Sequence, residues 1–336
     1  MKHLLLLLAV ILVAKLPLDA QTTTAPVTYP SSFTVAKDGS GNFKTIQEAI
    51  NAVRDLSQQR VTIYIKNGTY KEKVVVPTWK TNISLVGESA DETIITYNDH
   101  SGKPYTGGVD AFGKDKHGTF TSYTVLVQGN DFSAANLTIQ NTAGRVGQAV
   151  ALHVEGDRVS ITNCRLLGNQ DTIYAATSTS RQYYSNCFIE GTTDFIFGEA
   201  TCLFERCTIK SLSNSYITAA STRPGDMGFV FIDCKLVADT GVTKVFLGRP
   251  WRPNARTVFI NTEMGKHIVP AGWDNWRNPE NEKTAFYAEY NSTGEGGNTT
   301  LRVPWSNQLT RKQAKRYTIK NIFCASGSWV PTQTLR

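Results

Sequence analysis

Residues 162–167 read TNCRLL, and a closely similar pattern returns as SNCFIE at 185–190, ERCTIK at 205–210 and IDCKLV at 232–237. In each copy a polar residue precedes a cysteine, and a large apolar residue stands two places after it. The cysteines are separated by 23, 20 and 27 residues, whereas zinc sites and redox pairs use cysteines about two to four residues apart. The pattern therefore indicates a structural repeat rather than a metal or redox site.

The repeat extends beyond the four cysteines. We align Ala135 and Thr262 with the cysteine position, which gives six copies spaced by 20 to 29 residues. An apolar residue stands two places after each of them: Leu137, Leu166, Ile189, Ile209, Leu236 and Met264. Periods of this length are typical of solenoids in which each repeat forms one coil. Because the segments between turns are short and strand-like, we predict an all-β chain wound as a parallel β-helix, with small side chains stacked as a ladder inside.

The domain organisation is predicted to be simple. Residues 21–32 are rich in Thr, Pro and Ser and are predicted as a linker, and 33–336 as a single β-helix domain. Thr45 and Glu48 form a capping-box pattern, which predicts an N-terminal helix that covers the open edge of the first coil. Toward the C-terminus we predict long loops and one short helix near 310–316.

The N-terminus is typical of a secretory signal peptide, predicted at residues 1–20. Lys2 and His3 precede the apolar run 4–14, which is too short to span a bilayer as a helix. No later stretch is apolar enough to form a membrane span. We therefore expect an exported protein without a membrane anchor.

The chain has a formal net charge of +7, from 35 basic and 28 acidic residues. A cationic exported protein suits an anionic partner such as an acidic polysaccharide, although the surplus could also serve solubility alone. The basic residues are scattered except for one cluster near the C-terminus: Arg311, Lys312, Lys315 and Arg316. Because no zinc-finger or RNA-binding signature accompanies them, we expect no nucleic-acid partner.

Amides and carboxylates recur at the coil spacing. Gln148 and Gln170 are 22 residues apart, and Asp171 and Asp194 are 23 apart. A solenoid with coils of that length brings all four to adjacent rungs of one surface. Two carboxylates held close together cannot both ionise easily, so one acts as an acid and the other as a nucleophile or base. Arg249, two coils further along, could orient one carboxylate through a bidentate contact. The alternative is that the aspartates only cap turns and that the arginine is an ordinary surface residue.

Four segments, in this order, resemble the signature segments of the pectin methylesterases: GQAVAL (147–152), GNQDTIY (168–174), TDFIFG (193–198) and LGRPW (247–251). GTYKEKV at 68–74 is similar to a further segment near the N-terminus of that family. The resemblance covers residues 33–323 and implies a right-handed parallel β-helix, in agreement with the repeat.

The resemblance implies a role for each matching residue. Asp194 matches the nucleophile that attacks the methyl ester carbonyl of a galacturonate unit. Asp171 matches the acid that protonates the departing methanol and then, as a base, activates water. Gln148 and Gln170 match the amides that stabilise the negative charge of the tetrahedral intermediate. Arg249 matches the arginine that orients the nucleophilic carboxylate.

The resemblance also implies substrate-binding residues. Trp251 matches a wall of the sugar-binding cleft, and Thr119 in GTFTSYTV a substrate contact. Tyr174, Phe197 and Trp273 are candidates for stacking on sugar rings, although each could be an ordinary half-buried aromatic residue. The implied partner is methyl-esterified pectin (homogalacturonan), and a proteinaceous inhibitor could be a further partner. We expect a secreted monomer that needs no cofactor and no metal.

Other functions on the same architecture compete with this interpretation. A pectate lyase needs calcium held by an acidic cluster, and the sequence has no adjacent Asp pair. A polygalacturonase is expected to show Asp-Asp and Gly-His-Gly motifs, which are also absent. A non-catalytic polysaccharide-binding β-helix would explain the repeats and the charge but not the spacing of the Gln and Asp residues.

The cysteines leave the disulfide pattern open, because six cysteines allow 15 pairings. An exported protein permits disulfides, and neighbouring coils bring ladder residues within range. Cys207 with Cys234 is the pair that we favour, while Cys202 and Cys324 suggest no role.

Overall fold

The structure is a computed structural model that describes residues 28–323, 327 and 329–331. The predicted signal peptide (1–20), most of the predicted linker (21–32) and Cys324 lie outside the described residues. The described part of the chain forms these strands: β1 (Ser32–Val35), β2 (Val61–Ile65), β3 (Gly68–Lys71), β4 (Val74–Val76), β5 (Ile83–Gly87), β6 (Thr93–Tyr97), β7 (Val125–Val127), β8 (Ser133–Ala135), β9 (Thr138–Asn141), β10 (Leu152–Val154), β11 (Val159–Thr162), β12 (Arg165–Leu167), β13 (Ile173–Ala175), β14 (Arg181–Ser185), β15 (Phe188–Gly191), β16 (Ile196–Gly198), β17 (Thr201–Glu205), β18 (Thr208–Ser211), β19 (Tyr216–Ala220), β20 (Phe229–Ile232), β21 (Lys235–Ala238), β22 (Phe246–Gly248), β23 (Arg256–Ile260), β24 (Glu263–Met264), β25 (Phe286–Tyr290) and β26 (Asn307–Gln308).

The strands form three parallel sheets that wind into a right-handed parallel β-helix, as predicted. Sheet A has the order β1-β2-β5-β8-β11-β14-β17-β20-β23-β25-β26, sheet B the order β24-β21-β18-β15-β12-β9-β6-β3, and sheet C the order β22-β19-β16-β13-β10-β7-β4. Neighbouring strands in each sheet belong to successive coils, so residues about one period apart in sequence lie side by side.

The helices are short and lie outside the coils: α1 (Ile46–Ala52), α2 (Glu280–Thr284), α3 (Arg311–Ala314) and α4 (Ile319–Phe323). The predicted capping box is confirmed, because Thr45 accepts a hydrogen bond from the Glu48 backbone and the Glu48 carboxylate accepts one from the Thr45 backbone. Helix α1 packs against β1, β2 and β4 and so covers the first coil. Helix α3 confirms the predicted C-terminal helix, whereas α2 and α4 had no sequence prediction. None of the helices in the described ranges is long and apolar enough to cross a bilayer.

The strand register confirms the repeat, with one correction at its first copy. Thr138 in β9 lies opposite Arg165 in β12, so Leu137, not Ala135, occupies the position of Cys164. Ala135 is small, like the cysteines of the later copies, but the interior of the first coils accepts the larger leucine, which is fully buried. The apolar position two places further is accordingly Ile139.

The polar residue before each ladder position explains the repeated pattern. In every copy it has a left-handed backbone, with φ between 50° and 55°: Asn136, Asn163, Asn186, Arg206, Asp233 and Asn261. This conformation is rare for side chains other than glycine, asparagine and aspartate. It turns the chain sharply from a strand of sheet A to the next strand of sheet B, and it fixes which side chain then enters the core.

The favoured disulfide between Cys207 and Cys234 is not present in the structure, which has both residues as free, buried thiols on adjacent coils. Each thiol donates to backbone carbonyls, for example from Cys234 Sγ to the Phe204 oxygen at 3.4 Å. Burial raises the pKa of the Cys207 thiol well above its usual value, which makes the reactive thiolate scarce. The cysteines of the repeat therefore serve as small core residues.

Candidate active site

A cavity of about 210 Å³ opens on the outer surface of sheet C. Its lining comprises these residues: Thr119, Phe120, Gln148, Gln170, Asp171, Asp194, Phe197, Ala219, Arg249, Trp251 and Trp276. The five polar residues predicted from the coil spacing therefore lie together. Among the residues that the structure describes, no group of three or more His, Cys, Asp or Glu side chains is arranged to hold a metal ion.

The two aspartates occupy equivalent positions on adjacent coils. Strands β13 and β16 pair with Ile173 opposite Ile196, so Asp171 and Asp194, each two residues earlier, lie side by side. Both have left-handed backbones, with φ of 66° and 49°, a conformation that aspartate adopts more readily than most residues. They are only 7% and 6% exposed. The turn before each strand thus places a carboxylate at the floor of the cavity with little access to water.

Arg249 binds Asp194 through a bidentate contact. Its Nε and Nη2 donate to the two carboxylate oxygens of Asp194 at 3.0 and 2.7 Å. The guanidinium is sandwiched between the rings of Tyr216 and Trp276, with its Cζ 3.9 and 3.7 Å from the two ring centroids. Cation–π contacts on both faces leave the arginine little freedom to turn away. The arginine therefore fixes the orientation of this carboxylate.

The glycine of LGRPW allows the arginine to approach. A Cβ at Gly248 would collide with the Oγ1 of Thr218, which belongs to the preceding coil. Because Gly248 has none, β22 can lie close against β19. Arg249 then follows directly and reaches back across one intervening coil to Asp194.

Burial and charge give the two carboxylates different protonation states. Burial, reinforced by the nearby charge of Asp194, raises the pKa of Asp171 to about 8, despite the opposing effect of Arg249. Burial also raises the pKa of Asp194, but the hydrogen bonds and positive charge of Arg249 act against that rise. At neutral pH the site therefore contains a protonated carboxyl group beside an ionised, arginine-bound carboxylate. An acid and a nucleophile can coexist in this way.

Gln148 and Gln170 lie next to each other at the rim of the aspartate pair. They form an isolated parallel bridge, although the register of β10 and β13 would place Ala149 beside Gln170. A β-bulge accounts for the offset, since the backbone N–H groups of Ala151 and Leu152 both donate to the Thr172 carbonyl. The bulge shifts Gln148 by one residue into the cavity wall. Within residues 28–323 no protein group bonds to either side-chain amide, so both are free to donate to a ligand.

The Thr119–Thr121 turn forms one wall of the cavity and is held in place by an ionic cluster around a buried aspartate. Asp99, which is 4% exposed, bonds to Lys73 Nζ at 2.8 Å and to Lys103 Nζ at 2.9 Å. Lys73 also donates to the Thr121 carbonyl at 2.6 Å. The cluster therefore links the turn to the body of the β-helix, and the positions of Thr119 and Phe120 depend on it.

The structure sorts the predicted substrate-binding residues into three groups. Thr119, Phe197 and Trp251 line the cavity. Tyr174 does not line it but supports its wall, because its ring stacks on Phe197 at 4.6 Å between centroids. The prediction for Trp273 is wrong: it is 1% exposed and part of the core. Its backbone continues sheet C beside Gly248, which turns the indole into the interior.

Three cavity residues were missed by the sequence analysis: Phe120, Ala219 and Trp276. Trp276 stands only three residues after Trp273, so the sequence analysis predicted a cavity tryptophan in the correct segment but chose the wrong one of the two. Its ring reaches Arg249 because the backbone has φ values of 58° and 55° at Trp276 and Arg277, a local reversal that no pattern in the sequence signals. Phe120 is adjacent to the predicted Thr119 and could have been found from it.

Comparison with known proteins gives consistent matches over most of the chain. The family model described as pectinesterase matches residues 32–326. A probable pectinesterase/pectinesterase inhibitor of Brassica napus is 38% identical over 88% of this chain, and the chain spans 51% of that relative's length. Probable pectinesterase 8 of Arabidopsis thaliana is 37% identical, with 94% of this chain and 78% of the relative covered. The solved structure of a pectin methylesterase from carrot has a TM-score of 0.79 and 34% identity, covering 89% of this chain and 94% of that one. The described residues also contain the paired aspartates, the paired glutamines and the bound arginine in one cavity. The chain belongs to the pectinesterase family.

Proposed function

We propose that this protein hydrolyses the methyl esters of galacturonate units in pectin, releasing methanol and leaving free carboxylates. The observation that supports this most directly is that the two carboxyl groups of one cavity have different protonation states. Arg249 holds Asp194 ionised through two hydrogen bonds, while burial keeps the neighbouring Asp171 protonated at neutral pH. Ester hydrolysis by a carboxylate nucleophile needs both states at once.

In the first step a carboxylate oxygen of Asp194 attacks the ester carbonyl carbon. Negative charge develops on the former carbonyl oxygen, and the side-chain amides of Gln148 and Gln170 donate hydrogen bonds to it. Their placement on adjacent coils allows both to point at one atom. Removing one such donor typically costs about a hundredfold or more in rate.

In the second step the tetrahedral intermediate collapses and the bond to the methoxy oxygen breaks. Asp171 gives its proton to that oxygen, so methanol leaves as a neutral molecule and an acyl–Asp194 anhydride remains. Asp171, now ionised, takes a proton from a water molecule that attacks the anhydride. Hydrolysis returns Asp194 as a carboxylate, protonates Asp171 again and frees the galacturonate carboxyl group. One ester and one water thereby give one acid and one methanol.

The aromatic side chains of the cavity would hold the sugar chain across the two aspartates. Phe197 and Trp251 lie at a centroid distance of 5.7 Å in an edge-to-face arrangement, and Phe120 lies 5.0 Å from Tyr174. Apolar ring faces of this kind suit the apolar faces of sugar rings and the ester methyl group. The proposed substrate is therefore methyl-esterified homogalacturonan.

The test is methanol release from highly methylated pectin, followed together with acid production in a pH-stat. We expect release by the wild-type protein and a loss of at least about a thousandfold in Asp194→Asn, because an amide cannot act as the nucleophile. Asp233→Asn is the matched control, since Asp233 is an exposed aspartate with the same left-handed backbone (φ 54°) outside the cavity. Methanol release by Asp194→Asn at the wild-type rate would refute the role of the nucleophile.

We further propose that the protein acts outside the cell, as a monomer, and that a proteinaceous inhibitor could bind it. The N-terminal apolar run supports export, and the net charge of +7 suits a polyanionic cell-wall substrate. Export is checked by recovery of the processed protein in the medium of an expressing host. The oligomeric state is checked by light scattering.

A further inference from the structure

The excess of basic over acidic residues comes entirely from the C-terminal end of the chain. Residues 296–336 contain seven of the 35 basic residues and none of the 28 acidic residues. Residues 1–295 therefore contain 28 basic and 28 acidic residues and have a net charge of zero. The catalytic cavity belongs entirely to the neutral part, so the mechanism above makes no use of the surplus charge.

Five of these seven residues are exposed and lie in the segment 311–320, which we call the basic patch: Arg311, Lys312, Lys315, Arg316 and Lys320. Arg311 and Lys312 belong to α3, and Lys315 and Arg316 lie in the turn that follows it. Lys315 keeps a helical backbone and its N–H donates to the Arg311 carbonyl, so the spacing i, i+4 brings these two residues to the same side. None of the five forms an ion pair within the described residues. Of the other two, Arg302 is buried and bonds to Glu289 at 2.7 Å, and Arg336 lies outside the described residues.

Packing on the opposite side directs the patch outward. Ile322 and Phe323 of α4 are buried in a cluster with Tyr183, Leu203 and Val230 of sheet A. Ala314 of α3 is also buried. The apolar residues thus bind α4, and Tyr317 in the segment between the two helices, to sheet A, and the charged side chains face the solvent. The catalytic cavity lies on sheet C, a different face of the β-helix.

We propose that the basic patch is a second binding surface for an acidic polysaccharide, namely de-esterified galacturonan, the polycarboxylate that the active site would produce. This inference rests on the proposed function, which supplies the polyanion. An exposed row of unpaired cations attracts a flexible polycarboxylate without the need for a shaped pocket. The patch would keep the protein on stretches of polymer that it has already processed, while the cavity engages the methylated stretches.

The same features make an anionic membrane the less suitable partner. A helix that binds a membrane surface inserts an exposed apolar face between the lipids. Here the apolar residues of α4 are already buried against sheet A and Ala314 of α3 is also buried, and the exposed large apolar residues of the described chain include none between 302 and 323. A hydrated polyanion needs no such face.

The experiment compares three full-length proteins on immobilised polygalacturonate at increasing salt. The patch variant combines Arg311→Gln, Lys312→Gln, Lys315→Gln and Arg316→Gln. The control variant removes the same charge from exposed lysines elsewhere, through Lys37→Gln, Lys44→Gln, Lys71→Gln and Lys266→Gln. At low salt we expect the patch variant to bind about tenfold or more weakly than wild type, since each exposed charge contact contributes modestly, and its affinity to depend less steeply on salt. The control variant should remain close to wild type.

Methanol release from a short methylated oligogalacturonide separates this inference from the proposed function. The patch variant is expected to release methanol from the short substrate at the wild-type rate, because it leaves the cavity intact. If wild type and patch variant release none, the proposed function fails; if both release it but the patch variant binds polygalacturonate like wild type, the second binding surface is refuted. Equal loss of binding in the patch and control variants would also refute it, because net charge alone would then explain retention. Vesicles with anionic lipid provide the last comparison, and tighter binding to vesicles than to polygalacturonate would overturn the assignment of the partner.

Discussion

Replacing Asp171 by asparagine is expected to make the folded protein more stable at neutral pH while abolishing methanol release. The folded-state pKa of Asp171 is raised from the ordinary 3.8 to about 8 by burial and by the charge of Asp194. The unfolded chain therefore releases this proton near pH 4, whereas the folded protein retains it up to about pH 8. A carboxyl group with a raised folded pKa contributes its full stability only below pH 4, and that contribution is lost as the pH rises through about 8.

The size of the stability change follows from the pH range over which the folded and unfolded proteins differ in the protonation of Asp171. Each unit of pKa difference corresponds to 1.36 kcal/mol, so at pH 7 the wild-type protein has lost about 4 kcal/mol of stability relative to acidic solution. The amide of asparagine does not titrate and suffers no such loss. Asparagine also tolerates the left-handed backbone at this position (φ 66°). The variant should thus gain on wild type by about 1.4 kcal/mol per pH unit between pH 4 and 8.

The assay is urea-induced unfolding of both proteins at half-unit steps from pH 4 to 8.5, with fluorescence as the probe. The difference in the free energy of unfolding should rise with pH and level off above about pH 8. A difference in unfolding free energy that is the same at every pH reflects how well the amide fits its surroundings, and it does not affect the slope of that difference against pH. Asp233→Asn, at an exposed left-handed corner, controls for the exchange itself. A stability difference that stays flat across this range would show that Asp171 is ionised in the folded protein, and the assignment of the acid would then be wrong.

Three further predictions concern the two aspartates, the arginine and the tryptophans. The profile of kcat/KM against pH should be bell-shaped, rising as Asp194 ionises and falling near pH 8 as Asp171 loses its proton; a profile still rising at pH 9.5 would contradict this. Arg249→Gln removes the bidentate contact and should lower kcat at pH 7 by about a hundredfold and move the acid limb to higher pH, which pH-stat rates would show. Trp276→Ala should lower kcat, because Arg249 loses one of its stacking partners, and should change the free energy of unfolding by no more than about 1 kcal/mol. Trp273→Ala should instead lower the free energy of unfolding by about 3–5 kcal/mol, because this indole is part of the core. Equal effects of the two variants on stability would refute their placement.

The sequence was sufficient to predict the fold because a solenoid repeats its local rules. Cys164, Cys187, Cys207 and Cys234 mark one position of successive coils, and the spacing between them is the length of a coil. The error at Ala135 arose where the marker residue changes from cysteine to leucine. Asn136, which precedes this leucine and has a left-handed backbone, would have given the right register, since Asn163 and Asn186 have the same residue type and the same backbone conformation.

The polar part of the site was also predictable, because coil spacing alone places Gln148, Gln170, Asp171 and Asp194 on neighbouring rungs. The aromatic part was predicted less well. Trp273 and Trp276 have the same chemistry and nearly the same sequence position, and only the path of the backbone between them decides which ring enters the core. That path depends on contacts with β22 and β25, which lie outside the segment that contains the two tryptophans.

The distribution of functional groups over the coils has an evolutionary consequence. Gln148, the Gln170–Asp171 pair, Asp194 and Arg249 come from four different coils, so no single coil contains the complete set of reacting groups. Loss or duplication of one complete coil would preserve the stacking of its neighbours, but it would change the set of reacting groups and which of them lie on adjacent rungs. Whole-coil insertions and deletions therefore offer descendants of this gene a route to altered chemistry that keeps the scaffold intact, whereas shorter length changes within a coil would disturb the register of every residue in the cavity.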